Sequence, residues 1–309
     1  MKKRLVSLAL AAVMGAALLA GCGKQAADAD GGGNGSAAAE ENLSAEEEPG
    51  TSDQFEETTV TIYAAASLET VLTELIDVYN ETQPNVTIQG SYDSSGTLLT
   101  QIEETAGNGI DIFFSAGQSQ MNTLEEEDGL VVEGTRHNVV NNQVCVVTYP
   151  DSGTAVTGLE NIGEAASLAL ADGSVPVGRY TRQAMINAGM LQGDDPAAIT
   201  TEQVSQALGG VEINECGNVS KVLQAVAEHS NEVGTTYYSD TYGFEDDVQI
   251  LEVIPYELSG DVIYPIAQVS NAEADELQSA AAEDFINFLI SDEAKTIFEK
   301  YYFDTDVTD

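Results

Sequence analysis

From Thr59 onward the chain alternates short apolar runs with segments whose apolar positions recur every three or four residues. "VTIYAAAS", Val60 to Ser67, has the length and apolar continuity of a buried strand. Leu68, Val71, Leu72, Leu75, Ile76 and Tyr79 then fall on one face of a helix that stops near "NETQPN". The unit repeats: "NVTIQGSY" is predicted strand, "SSGTLLTQIEE" helix with Leu98, Leu99 and Ile102 on one side, "IDIFFSAG" strand, and "QSQMNTLEEE" helix. Strands alternating with helices predict an α/β fold with a mostly parallel sheet covered on both faces.

A second series begins at "QVCVVTYP", a strand closed by Pro150, and runs through "SLALADGS", "VGRYTRQAMINAGM", "VEINE", "NVSKVLQAVAEH" and "VGTTYYSD". "VQILEVIP", "VIYPIAQV" and a final helix pair follow. Two α/β lobes are expected, with the chain crossing between them twice: residues 59–140 with 255–309 in lobe I, and residues 141–254 in lobe II. No internal repeat or heptad array interrupts the pattern.

Ahead of this domain the patterning is different. Lys2, Lys3 and Arg4 precede an almost wholly apolar run, Leu5 to Leu19, that is short for a membrane span and reads as a secretory signal. "LAGC", ending at Cys22, resembles the lipobox of bacterial lipoproteins, which implies that residues 1–22 are a signal and that Cys22 carries a lipid anchor. Residues 23–58 are Gly, Ala, Ser and acid, too poor in large apolar side chains to offset their ordering entropy, and are expected to be a flexible tether.

Charge narrows the partners. The formal charge of -42 becomes -45 once the three basic residues of the signal are removed, so nucleic acid and anionic membrane surfaces are disfavoured as partners. Cys145 and Cys216 remain in the mature domain, and the sequence leaves open whether they pair or serve as small buried apolar side chains.

Against that acidic background three predicted strand ends are rich in hydroxyls and small residues: Ser67 after "YAAA", Ser94 to Thr97 after "SYD", and "SAGQ", Ser115 to Gln118, after "DIFF". In open α/β sheets ligands bind beyond the carboxyl ends of the strands, where helix N-termini present unpaired N–H groups. Any one of these serines could simply cap its own helix. Their repetition at successive strand ends favours a shared anion site.

Other chemistry lacks its residues. His137 and His229 are the only histidines, with no metal-binding pair or cysteine cluster near them, and solvated or core roles are expected. No G-x-S-x-G elbow, identifiable histidine base or P-loop is present, so catalysis and a cofactor are not expected. Arg179 and Arg182 fall in a predicted helix after "VPVG", where solvent exposure or a local ion pair is the default.

"VTIYAAASLETVLTEL", "SSGTLLTQIE", "DIFFSAGQSQMNTL", "SVPVGRYTRQAM" and "GTTYYSD", in that order from about Val60 to Phe303, together resemble the molybdate-binding protein of bacterial ABC transporters. The resemblance implies a two-lobed type II periplasmic-binding-protein fold with the ligand in the interlobe cleft, held by hydroxyls and main-chain N–H groups. It places Ser67 and Ser95 as serine ligands, Ala116 and Val175 as main-chain donors, and Tyr237 as the tyrosine hydroxyl, with Tyr238 a close rival. Molybdate would be held through these residues, with no direct metal-ion ligands. Two positions depart from the family: Gly96 stands where a third serine is common, and Asp93 brings a carboxylate that is expected to point away from an anion.

The implied function is a monomeric, lipid-anchored extracytoplasmic receptor that captures molybdate, and also tungstate, for an ABC permease and its ATPase. A receptor of the same fold for sulfate or an organic solute is the main alternative. A surface hydrolase using Ser67 or Ser95 ranks lower.

Overall fold

The computed structural model describes residues 55–308. The predicted signal, Cys22 and most of the predicted tether lie outside the described residues. Phe55 is already tied to the domain, its N–H donating to Gln83 Oε1 at 3.2 Å and its carbonyl accepting from Asn85 Nδ2 at 2.9 Å.

The chain runs β1 (Thr58–Ala65), α1 (Glu69–Thr82), β2 (Val86–Asp93), α2 (Ser95–Thr105), β3 (Ile112–Phe114), α3 (Gln118–Asn122) and β4 (His137–Val140). It continues through β5 (Val144–Thr148), β6 (Ser167–Ala171), α4 (Pro176–Asn187), α5 (Thr201–Ala207), β7 (Glu212–Cys216), α6 (Val219–Ala227), β8 (Val233–Tyr237) and β9 (Gln249–Val253). The last part is α7 (Tyr256–Ser259), β10 (Tyr264–Gln268), α8 (Glu276–Leu289) and α9 (Asp292–Lys300).

These strands form two five-stranded sheets flanked by helices, in the orders β2-β1-β3-β10-β4 and β7-β6-β8-β5-β9. Each sheet is the base of one lobe of an α/β fold. The chain passes from the first sheet to the second between β4 and β5, and returns between β9 and β10.

The sheets are mixed, which refines the expectation of mostly parallel ones. β1 pairs in parallel with β2 and β3, and β6 with β7 and β8, but β10 runs antiparallel to β3 and β4, and β5 antiparallel to β8 and β9. The reversed strand in each sheet is the first one formed after the chain crosses over. It arrives through a connection between lobes instead of a helical crossover on its own sheet, so the geometry that enforces parallel pairing is missing. β5 and β10 are buried along their whole length, as a parallel core strand would be, and composition therefore carried no sign of their direction.

Helices cover the sheets by the faces that the spacing marks out. α1 buries Val71, Leu72, Leu75 and Tyr79, and Tyr79 also packs its ring 4.8 Å from Phe285 of α8 while donating its hydroxyl to Asp284 Oδ2 at 2.9 Å. Three elements went unmarked in the sequence: β4, four residues inside "GTRHNVVNN", α5, which buries only Val204, and α7, a single turn that buries only Ser259. Cys145 on β5 and Cys216 on β7 are both free and buried, with β8 and β6 lying between their strands. That separation rules out a direct disulfide.

Candidate functional site

The carboxyl ends of β1, β2, β3 and β8 and the N-terminus of α4 meet at a cavity of about 210 Å³. Its lining includes Ser67, Ser95, Ala116, Val175 and Tyr237, all five residues singled out from the sequence. Asp93 is the one charged residue in the described lining. The site is therefore built from hydroxyls and backbone, without a cationic side chain.

Hydrogen-bond direction settles what the hydroxyls can offer. Ser67 Oγ lies 2.9 Å from Tyr264 Oη, and Tyr264 Oη in turn accepts from Asn142 Nδ2 at 3.1 Å. Tyr264 is fully buried, so its own proton needs an acceptor, and Ser67 Oγ is the one within reach. Ser67 then accepts from Tyr264 and keeps its proton for the cavity. Ser95 has the same arrangement: its Oγ accepts from the Ala116 N–H at 2.9 Å, leaving the Ser95 proton to donate.

Tyr237 completes the set. Its side chain is 1% exposed and its hydroxyl has no hydrogen-bond partner. Burial pushes its pKa, and that of Tyr264, well above the ordinary tyrosine range, so both stay protonated as donors. The neighbouring Tyr238 instead stacks on Tyr302 at 4.9 Å with the planes 12° apart, away from the cavity lining.

The two predicted main-chain donors line the cavity, but each already has a partner inside the protein. The Ala116 N–H donates to Ser95, and the Val175 N–H donates to the Asp172 carbonyl at 3.1 Å. Val175 is the N-cap of α4 and Pro176, the next residue, has no N–H. Val177, which also lines the cavity, therefore provides the first amide of α4 without an intrahelical acceptor. The signal for it was the proline of "SVPVG": at a helix start the available donor comes after the proline.

The residues around the cavity have partners of their own. Ser94 caps α2, its Oγ accepting from the Thr97 N–H at 3.2 Å, and Thr97 Oγ1 lies 2.8 Å away. Asp93 belongs to the lining, and its carboxylate is engaged away from the serine hydroxyls, Oδ1 accepting from the Ser94 N–H at 2.7 Å and from Asn218 Nδ2 at 3.2 Å. A Cβ on Gly96 would sit 3.4 Å from the Ser174 carbonyl of the facing loop, so the first turn of α2 approaches the second lobe closely there.

Arg182 is neither exposed nor ion-paired at the surface. It is fully buried and donates to the carbonyls of Ala171 at 2.7 Å, Gly178 at 2.9 Å and Ile199 at 2.9 Å. Those bonds fasten the end of β6 to the first turns of α4, and so hold the helix start in place at the cavity. Arg179 reaches the first lobe, donating from Nη1 to Ser119 Oγ at 2.6 Å.

A wider cleft of about 650 Å³ adjoins the cavity at Ala66 and Ser67. Glu69 and Asp240 line it, which makes it the less suitable place for an anion. Among the described residues no group of His, Cys, Asp and Glu is arranged to hold a metal ion, and no helix is long and apolar enough to cross a membrane.

A small donor-lined cavity at the strand ends of a two-lobed α/β fold defines a solute-binding protein. The model of bacterial extracellular solute-binding proteins matches residues 60–304, and the chain belongs to that family. It is 29% identical over 254 residues to a Bacillus subtilis protein, YvgL, described as a candidate ABC transporter substrate-binding lipoprotein, covering 82% of this chain and 89% of that one. The molybdate-binding protein ModA of Escherichia coli is 28% identical over 254 residues, with 79% of this chain and 88% of the relative covered. The periplasmic molybdate-binding protein of Azotobacter vinelandii shares the fold, with a TM-score of 0.64 at 17% identity over 79% of this chain and 98% of that one.

Proposed function

We propose that the protein is a non-catalytic receptor that binds molybdate, and tungstate with it, and hands the anion to an ABC permease driven by its ATPase. Ser67, Ser95 and Tyr237 are the hydroxyl donors in this reading, Ala116 and Val175 the main-chain contributors, and Val177 an added amide. The receptor acts as a monomer outside the cell membrane, held by a lipid on Cys22 through the part of the predicted tether that precedes Phe55. Residues 59–140 with 255–309 form one lobe and residues 141–254 the other.

The observation that carries the reading is the buried, unpartnered Tyr237 hydroxyl in a cavity where both serine oxygens already accept from fixed donors. A hydroxyl left bare in that position costs free energy until an acceptor arrives. An array of donors suits a fully deprotonated dianion; hydrogen phosphate carries a proton that would itself need an acceptor.

Calorimetry with molybdate, tungstate, sulfate and phosphate tests the reading, with binding of the first two expected. Silence with both molybdate and tungstate would sink it. Because the hydroxyls would satisfy sulfate equally well, a sulfate receptor is the second reading, and competition between sulfate and molybdate separates the two.

A further inference from the structure

Asp93 ends β2 on the first sheet, and Asn218 stands between β7 and α6 on the second. Their hydrogen bond, Asn218 Nδ2 to Asp93 Oδ1 at 3.2 Å, joins the two lobes beside the cavity. The amide of Asn218 cannot rotate freely to make it. Its Oδ1 accepts from the Lys221 N–H at 3.0 Å as the N-cap of α6, which fixes the NH2 group on the opposite side, toward Asp93. Asp93 is fixed in the same way, because the same Oδ1 accepts from the Ser94 N–H at 2.7 Å.

Each partner is thus oriented by its own lobe, and only a closed arrangement brings donor to acceptor. The residues next to the pair are cavity residues: Ser94 and Ser95 follow Asp93, and Val219 follows Asn218. The pair also disposes of a charge that does not belong in an anion site. Two donors meet the carboxylate at Oδ1, one from each lobe, so its negative end is engaged at the rim.

We propose that Asp93 and Asn218 form an interlobe clasp, a positioning pair that holds the lobes shut over the bound anion and thereby sets its rate of release. This rests on the reading that the cavity takes an oxyanion between the lobes. Neither residue needs to touch the ligand for the clasp to act.

The test exchanges the polarity of the pair. Asn218→Asp keeps an N-cap oxygen for α6, since aspartate caps as well as asparagine, but sets two carboxylates against each other across the cleft. Asp93→Asn in the same chain then restores a donor and an acceptor in reversed order. With whichever of the four oxyanions the wild type binds, N218D is expected to weaken affinity about tenfold or more, through faster release. The double variant D93N/N218D is expected to return to within about threefold of wild type.

A role for Asn218 confined to capping α6 predicts no effect of N218D, and a nonspecific disturbance predicts no rescue; either result overturns the clasp. If the wild type binds none of the four anions, the oxyanion reading fails and small-angle scattering decides the clasp by itself. N218D must then shift the molecule toward a more open form and the double variant must reverse the shift, and superimposable curves overturn it.

Discussion

Ala116 and Ser95 are joined by a buried hydrogen bond in which the Ala116 N–H donates to Ser95 Oγ over 2.9 Å. The bond links the end of β3 to the first residue of α2, and it turns a serine that could have been a passive cap into an oriented donor. Ser95→Ala removes that donor and strands the Ala116 amide. Hydrogen bonds to charged groups contribute roughly 1.5 to 3 kcal/mol, so S95A should weaken oxyanion binding about 10- to 100-fold in calorimetry. Unchanged affinity would remove Ser95 from the site.

Tyr237→Phe separates binding from folding. The hydroxyl it deletes has no partner in the protein, so the ligand-free variant should melt at the same temperature as wild type or slightly above it. The same change should cost about tenfold or more in anion affinity. A variant that loses stability without anion would mean that the hydroxyl is satisfied within the fold.

The strand ends that carry the site were legible because function and secondary structure share one signal there: a buried run stops, and hydroxyls and glycine start a helix. Three strand ends could be read this way, while the partners that orient them could not. Tyr264 and Asn142 lie 197 and 122 positions from the groups they bond, Ser67 and Tyr264 respectively, and nothing local marks either residue as belonging to a cavity. Arg182 misled for a related reason. Its side chain reads as solvent-seeking in a helix, but the carbonyls it satisfies belong to Ala171 and Ile199, outside that helix. The direction of β5 and β10 was hidden because burial on both faces erases the alternation that would have distinguished them.

Arg182→Ala should act on the fold before it acts on the ligand. It leaves three carbonyls of Ala171, Gly178 and Ile199 without the donor that now serves them, and opens a cavity in the second lobe. Buried acceptors stranded in this way cost about 1 to 3 kcal/mol each, with partial relief from water, so a loss of roughly 2 to 5 kcal/mol is expected in urea denaturation. Arg179→Ala, which gives up one bond to Ser119 from a half-buried position, should lose under about 1 kcal/mol. Equal losses would contradict the structural role assigned to Arg182.

Asp240 supplies a pH dependence whose sign follows from its surroundings. Its Oδ2 accepts from the Tyr237 N–H and from Thr236 Oγ1, both at 3.1 Å, yet burial outweighs these bonds and pushes its pKa up to about 7. In the unfolded chain an aspartate titrates near 3.9. Between those two values the folded protein holds a proton that the unfolded chain has lost, so stability should fall as pH rises through this window and level off above about 7. Asp240→Asn removes that dependence: relative to wild type it should be more stable at pH 8 than at pH 5, by on the order of 3 kcal/mol. A dianion beside Tyr237 would hold the Asp240 proton more firmly still. At pH 7 oxyanion binding should therefore take up protons, seen as a binding heat that varies with the ionisation enthalpy of the buffer, and D240N should abolish the variation. Buffer-independent heats in the wild type would place Asp240 outside the electrostatic reach of the bound anion.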